Sequence, residues 1–245
     1  MMMRSMIIGR VNQILMRFNI DFFSLLWYNT GIEEALAFSY KSEFNRVISK
    51  LKGRREMNKK TKLTLCTVVS AILVVVLYIL FHETGHLIVM LSAGEVIDDF
   101  SILGAHVSGH GGEYTFVSNL WLNANGAVLP LIVSLVYLLF YKKDRNNTFY
   151  RMFSFFTGLV PISSLLAWVI IPFVYLNGTA PPSDDCTMFL MSFSQIANPL
   201  FVSAAALVIV VLGSILFIKK GVLRNYIYEL QALKKEVTVN SDLTY

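Results

Sequence analysis

The chain has 245 residues, 55% of them apolar and only 15% charged, and its mean hydropathy is +0.59. Soluble globular domains carry about 25% charged residues, so the composition excludes an ordinary water-soluble fold. The net charge of +5 does not point to nucleic acid, because the 21 Lys and Arg fall in three blocks separated by long uncharged tracts.

Residues 1–56 fit the remainder poorly. Met57-Asn58-Lys59-Lys60-Thr61-Lys62 stands directly before an apolar run and looks like a natural start. Gly53-Arg54-Arg55-Glu56 can be encoded by a purine-rich tract resembling a ribosome-binding site. Residues 1–56 are therefore expected to be either an upstream extension or a basic cytoplasmic segment. In the second case the aromatic patch at 22–28 touches the membrane surface, being too short to span it.

The run 63–81 is the first of four uncharged stretches long enough to cross a bilayer; the others are 120–141, 152–176 and 196–218. A spanning helix needs about 20 apolar residues. The first continues into His82-Glu83-Thr84-Gly85-His86. On a helix, positions i and i+4 return to nearly the same face, so the two imidazoles can grip one zinc ion while Glu83 handles a proton beside it. Each ionisable group at membrane depth costs roughly 2.5–3.5 kcal/mol on insertion scales, so three together need a compensating role. Zinc binding, worth on the order of 10 kcal/mol at a structural site, can offset that.

Gly94 is a good residue to end this helix. Residues 96–117 alternate loosely and are rich in glycine, which predicts one or two short β-hairpins. A strand there can either pair with an extended substrate at its edge or serve as a plain connection. His106 and His110 share i, i+4 spacing, but the glycines around them argue against a helix. They are read as loop histidines, or as the source of a third ligand or of a second metal site. In the second span Asn123 and Asn125 are either substrate-binding amides or groups that pack between helices with the help of Gly126.

Catalytic zinc usually has three protein ligands and keeps a fourth position for water. Pro181-Pro182 should stop the third helix, and Ser183-Asp184-Asp185 should begin the fourth. Either the pair serves only in capping or, Asp184 being the more natural cap, Asp185 is the preferred third ligand. Cys66 and Cys186 are expected on opposite sides of the membrane, which argues against a disulfide between them.

The Lys and Arg residues number twelve before Leu63, four from 142 to 151, and five from 219 to 235. Segments 92–119 and 178–195 have none. Basic residues favour the cytoplasmic side, so four spans place both termini inside and the two bare segments outside. The expected architecture is an all-α polytopic protein. It has a four-helix membrane domain at 57–218, a short β-like outer loop after the first span, and a cytoplasmic tail at 219–245.

An HExxH on a transmembrane helix, followed by a short β-like loop and further spans, resembles the site-2 protease family of intramembrane zinc metalloproteases. The resemblance covers residues 63 to about 218. Its specific part is His82, Glu83 and His86, matching two zinc ligands and a catalytic glutamate. In that family a later helix carries an Asn-Pro-x-Pro…Leu-Asp-Gly motif whose Asp completes the metal site. This chain has Asn198-Pro199 but Ala204-Ala205-Ala206 in place of the Asp-Gly. Asp184 or Asp185 would then be the substitute, with His106 and His110 as the remaining alternatives.

The function expected is zinc-dependent cleavage of membrane-anchored protein or peptide segments. The setting is a bacterial cell membrane, with lipid as the other partner, no nucleic acid, and the site in the outer half. A catalytically silent metal-binding membrane protein, such as an immunity or regulatory factor, and a small transporter are the alternatives. The orientation is directly testable. In a background lacking Cys66 and Cys186, Ser108→Cys should react with a membrane-impermeant thiol reagent in intact cells and Asn147→Cys should not. The reverse pattern overturns the topology.

Overall fold

The computed structural model describes residues 58–242, with side chains to 232. The expectations about residues 1–56 lie outside the described residues. Six helices and one hairpin follow in chain order. They are α1 (Lys59–Ser92), β1 (Val96–Ser101), β2 (His106–His110), α2 (Phe116–Leu139), α3 (Thr148–Leu176), α4 (Asp185–Phe193), α5 (Leu200–Lys219) and α6 (Val222–Asp242). Helices α1, α2, α3 and α5 are long and apolar enough to cross a membrane. Much of their apolar surface is uncovered, as at Ile72, Val136, Ile170 and Leu212. Exposed apolar surface on that scale marks an integral membrane protein.

Each helix starts and stops for a local reason. The Asn58 carbonyl oxygen of the side chain accepts from Lys60 N at 3.0 Å and caps α1. At 34 residues α1 is about 51 Å long, well beyond a hydrocarbon core of about 30 Å. It stops at Gly94, whose φ of +83° is the left-handed conformation that closes a helix without strain, while Glu95 N bonds back to Met90 O at 3.0 Å. The chain then turns into the antiparallel β1–β2 hairpin, with one irregularity between Ile97 and Asp99. Thr115 caps α2 and Asn147 caps α3 through their side chains.

Helix α3 ends at Leu176, the end expected of the third span, although the stop is Gly178 with its φ of +71° and not the prolines. The start of the fourth span differs from that expected. Asp184 does not cap the fourth span: it caps α4, a separate helix of nine residues. The span itself begins at Leu200, where the Asn198 side chain accepts from Leu200 N at 2.9 Å. Asn198-Pro199 therefore starts the span instead of lying within it. Most of the segment expected as the tail, 222–242, folds as α6, held to α3 by a largely buried Arg151–Glu229 ion pair at 2.6 Å.

Helix α1 packs on α2 and α3, and α5 packs chiefly on α3. Where no water is available, backbone groups freed by proline need internal partners. Pro161 cannot donate to Thr157 O, and Ser134 Oγ on α2 donates to that oxygen instead, at 2.7 Å. Small residues let backbones meet. A Cβ on Gly85 would lie 2.7 Å from the Asn125 carbonyl carbon and closer still to its oxygen. Gly85→Ala must therefore force α1 and α2 apart. It should destabilise the protein by about 1–3 kcal/mol, read as a lower unfolding midpoint by circular dichroism in detergent. An unchanged midpoint would mean that the helices do not touch there.

Candidate metal centre

His82 and His86 lie one turn apart on α1, and the first residue of α4 is brought against both. Asp185 Oδ2 is 3.1 Å from His82 Nε2 and 3.2 Å from His86 Nε2. The two Nε2 atoms are 3.2 Å from each other. These three residues form a group able to hold a metal ion. Adjacent Asp184 does the other job: its Oδ1 accepts from Cys186 N at 2.9 Å and Thr187 N at 3.3 Å. The cap fixes the first turn of α4, and the next residue projects its carboxylate toward α1.

The donor atoms suit a cation on their own chemistry. A tetrahedral ion with bonds of ~2.0–2.1 Å separates its donors by about 3.3–3.4 Å, close to the triangle observed. His86 Nδ1 lies 2.7 Å from Leu122 O, which only accepts, so Nδ1 carries a proton. In the neutral ring Nε2 then presents a lone pair, and it faces a carboxylate oxygen and a second imidazole nitrogen. A shared cation turns that convergence from repulsive to attractive. The backbone bond to Nδ1 also fixes the ring's tautomer and direction, as a partner behind a ligating histidine does. His82 is held differently, since its Nδ1 is buried without a hydrogen-bond partner among the described residues.

Helix α2 closes the site from behind. A Cβ on Gly126 would sit 2.8 Å from His82 Cε1 and closer still to His86 Nε2. Only glycine leaves room for both rings. Asn125 donates to Gly85 O at 2.7 Å, so its amide stitches α2 to α1 and does not line the cleft. Asn123 does line the cleft; its Nδ2 donates to Asn119 O at 2.9 Å.

The cleft has a volume of ≈ 560 Å³. Glu83, only 5% exposed, shares it with the metal group. Its far wall is the hairpin, through His106 and Val107. Neither hairpin histidine joins the metal group. His106 Nε2 is 2.8 Å from Asp99, and His110 Nδ1 is 2.9 Å from Asp98. The Asp98 carboxylate raises the His110 pKa above its ordinary value.

No family model, curated protein or solved structure matches this chain.

Burial alone would raise the Asp185 pKa, but the neighbouring His82 and His86 imidazoles hold its carboxyl below the usual range. It is ionised, as a metal ligand has to be. Burial, with Asp184 and Asp185 nearby, pushes the Cys186 thiol up to about 12, so it stays protonated and inert. Cys66 and Cys186 are both free thiols, without a disulfide.

Sequence reasoning missed Glu95 and Tyr114, which also line the cleft. Tyr114 Oη donates to Glu95 Oε2 at 2.8 Å, and burial and Glu95 both raise its pKa, so the phenol keeps its proton. The available signal was their position at the two ends of the hairpin.

Asp184 and Asp185 can be separated by experiment. Asp185→Ala should remove most bound metal from the purified protein, measured by inductively coupled plasma mass spectrometry. Asp184→Asn keeps a good capping side chain and should retain it. Full metal content in Asp185→Ala would exclude this carboxylate as a ligand.

Proposed function

We propose that this chain is a zinc-dependent endopeptidase that cuts membrane-anchored protein segments within or beside the bilayer. The observation that carries this reading is the convergence of two imidazoles and one carboxylate on a single point, with the Glu83 carboxyl in the same cleft. Two nitrogens and one oxygen form a donor set suited to zinc, and three protein ligands leave a position for water. When bound, zinc lowers the pKa of its water toward neutrality and polarises a carbonyl.

The remaining work falls to the chain's own side chains. Glu83 takes the proton of the attacking water on a carboxylate oxygen and delivers it to the leaving amine. Asn123 offers an amide to the substrate backbone from the cleft wall. Among the described residues β2 has a partner strand on one edge only, and it contributes Val107 to the cleft. An extended peptide can add to the other edge through main-chain hydrogen bonds, which favours substrates whose helix unwinds easily. The three basic blocks support an orientation with both termini in the cytoplasm of a bacterial cell and the cleft in the outer half of its membrane.

Glu83→Gln separates an enzyme from a silent metal-binding protein. The variant should keep its zinc and lose cleavage of a membrane-anchored reporter carrying a glycine-weakened helix, by about 10²–10⁴-fold. Undiminished cleavage in Glu83→Gln would rule out this mechanism. Zinc binding by a wild type that cleaves no reporter would favour the silent reading.

A further inference from the structure

At the other end of the bundle from the metal group, a second cavity of ≈ 740 Å³ has no part in the proposed chemistry. The loop between α2 and α3 lines it with Lys142, Lys143 and Arg145, and the end of α5 adds Lys219 and Lys220. Against these five cations the lining has one carboxylate, Asp144. The preference of basic residues for the cytoplasmic side explains cations at this end of the helices. It does not explain why two segments more than seventy positions apart in sequence bring theirs to one concavity, where like charges repel.

The frame beneath the cations is fixed. Lys142 N donates to Tyr150 Oη at 2.9 Å, and Lys143 O accepts from Asn225 Nδ2 at 2.7 Å. Arg145 O accepts from Arg151 Nε at 3.2 Å. Asn225 and Arg151 are both buried, and the Arg151 charge is already met by Glu229. Lys220 Nζ donates to Leu139 O at 2.7 Å and ties α5 to the end of α2. The loop is thus held from below by α3 and α6.

We infer that this cavity binds a phosphate-bearing anion. Several lysines supply point charges and Arg145 supplies a fork of donors, the combination that suits phosphate oxygens. Exposed apolar residues flank the cations at Leu139, Phe140 and Ile218, which fits an anionic phospholipid with its headgroup in the cavity and its chains along the helices. Free phosphate shares the headgroup chemistry but has no use for the apolar flank. The inference does not depend on the peptidase reading.

The test uses the full chain in detergent with three probes: phosphatidylglycerol and phosphatidylcholine, read by native mass spectrometry, and inorganic phosphate, read by equilibrium dialysis. The wild type should retain phosphatidylglycerol over phosphatidylcholine by about tenfold or more. The triple variant Lys142→Gln, Lys143→Gln, Lys219→Gln should lose that preference. The charge-matched control Lys59→Gln, Lys60→Gln, Lys62→Gln should keep it. The unfolding midpoint by circular dichroism reports whether each variant is folded, and Lys219→Gln alone, at an exposed position, replaces the triple if that fails to fold. Inorganic phosphate bound by the wild type and lost in the triple variant would identify a free anion as the ligand of the same site. Equal loss in variant and control would reduce the effect to diffuse surface charge and overturn the proposal, as would binding of neither anionic probe.

Discussion

The contact between α1 and α2 at two glycines is the constraint on which the candidate metal centre depends. Gly85 admits the backbone of Asn125, and Gly126 admits the rings of His82 and His86. Lipid gives helices little hydrophobic reason to associate, so close packing and hydrogen bonds must hold them together. Asn125 supplies such a bond to Gly85 O, and His86 supplies another to Leu122 O. The second bond is also the one that turns Nε2 toward His82 and Asp185. A single interface therefore both joins the helices and orients a candidate ligand.

The third member of the candidate metal group is placed by a different mechanism, helix capping. A short helix laid beside the first two spans must satisfy its leading N–H groups, and Asp184 does so. Once that residue is fixed as the cap, its neighbour is fixed as the first residue of the helix. Asp185 then reaches His82 and His86 without a loop having to be ordered around it. The cap and the candidate ligand cannot exchange roles, because the Asp184 side chain is turned over the first turn of its own helix to accept from Cys186 N and Thr187 N.

How much of this was legible in the sequence follows from the range of each interaction. The four spans and the His82–His86 pair are set by local periodicity and length, and both can be read along the chain. Gly94 as a helix stop and the division of labour between Asp184 and Asp185 are equally local. The separation of α4 from the fourth span was not legible, since 185–218 is nearly continuous in apolar character and the break rests on turns at 194–199. The bond of Asn125 to Gly85, forty positions away, was not legible as such; sequence alone left packing and substrate binding open for both asparagines. Glu95 and Tyr114 escaped because they meet only when the hairpin closes.

The same distinction explains why the two ends of the bundle differ in chemical character. Among the described residues, segments 92–119 and 178–195 carry acidic side chains and no Lys or Arg, whereas the α2–α3 loop and the end of α5 are cationic. Charge distribution along the sequence predicts that asymmetry, because it reflects which loops cross a membrane. It does not predict that acidic Asp185 should meet two histidines, nor that five cations should surround one cavity. Those results require helices running in alternate directions and packed at small residues, so that distant loops end at the same depth. The chemistry of each end is thus written in composition, while its concentration into a site is a product of packing.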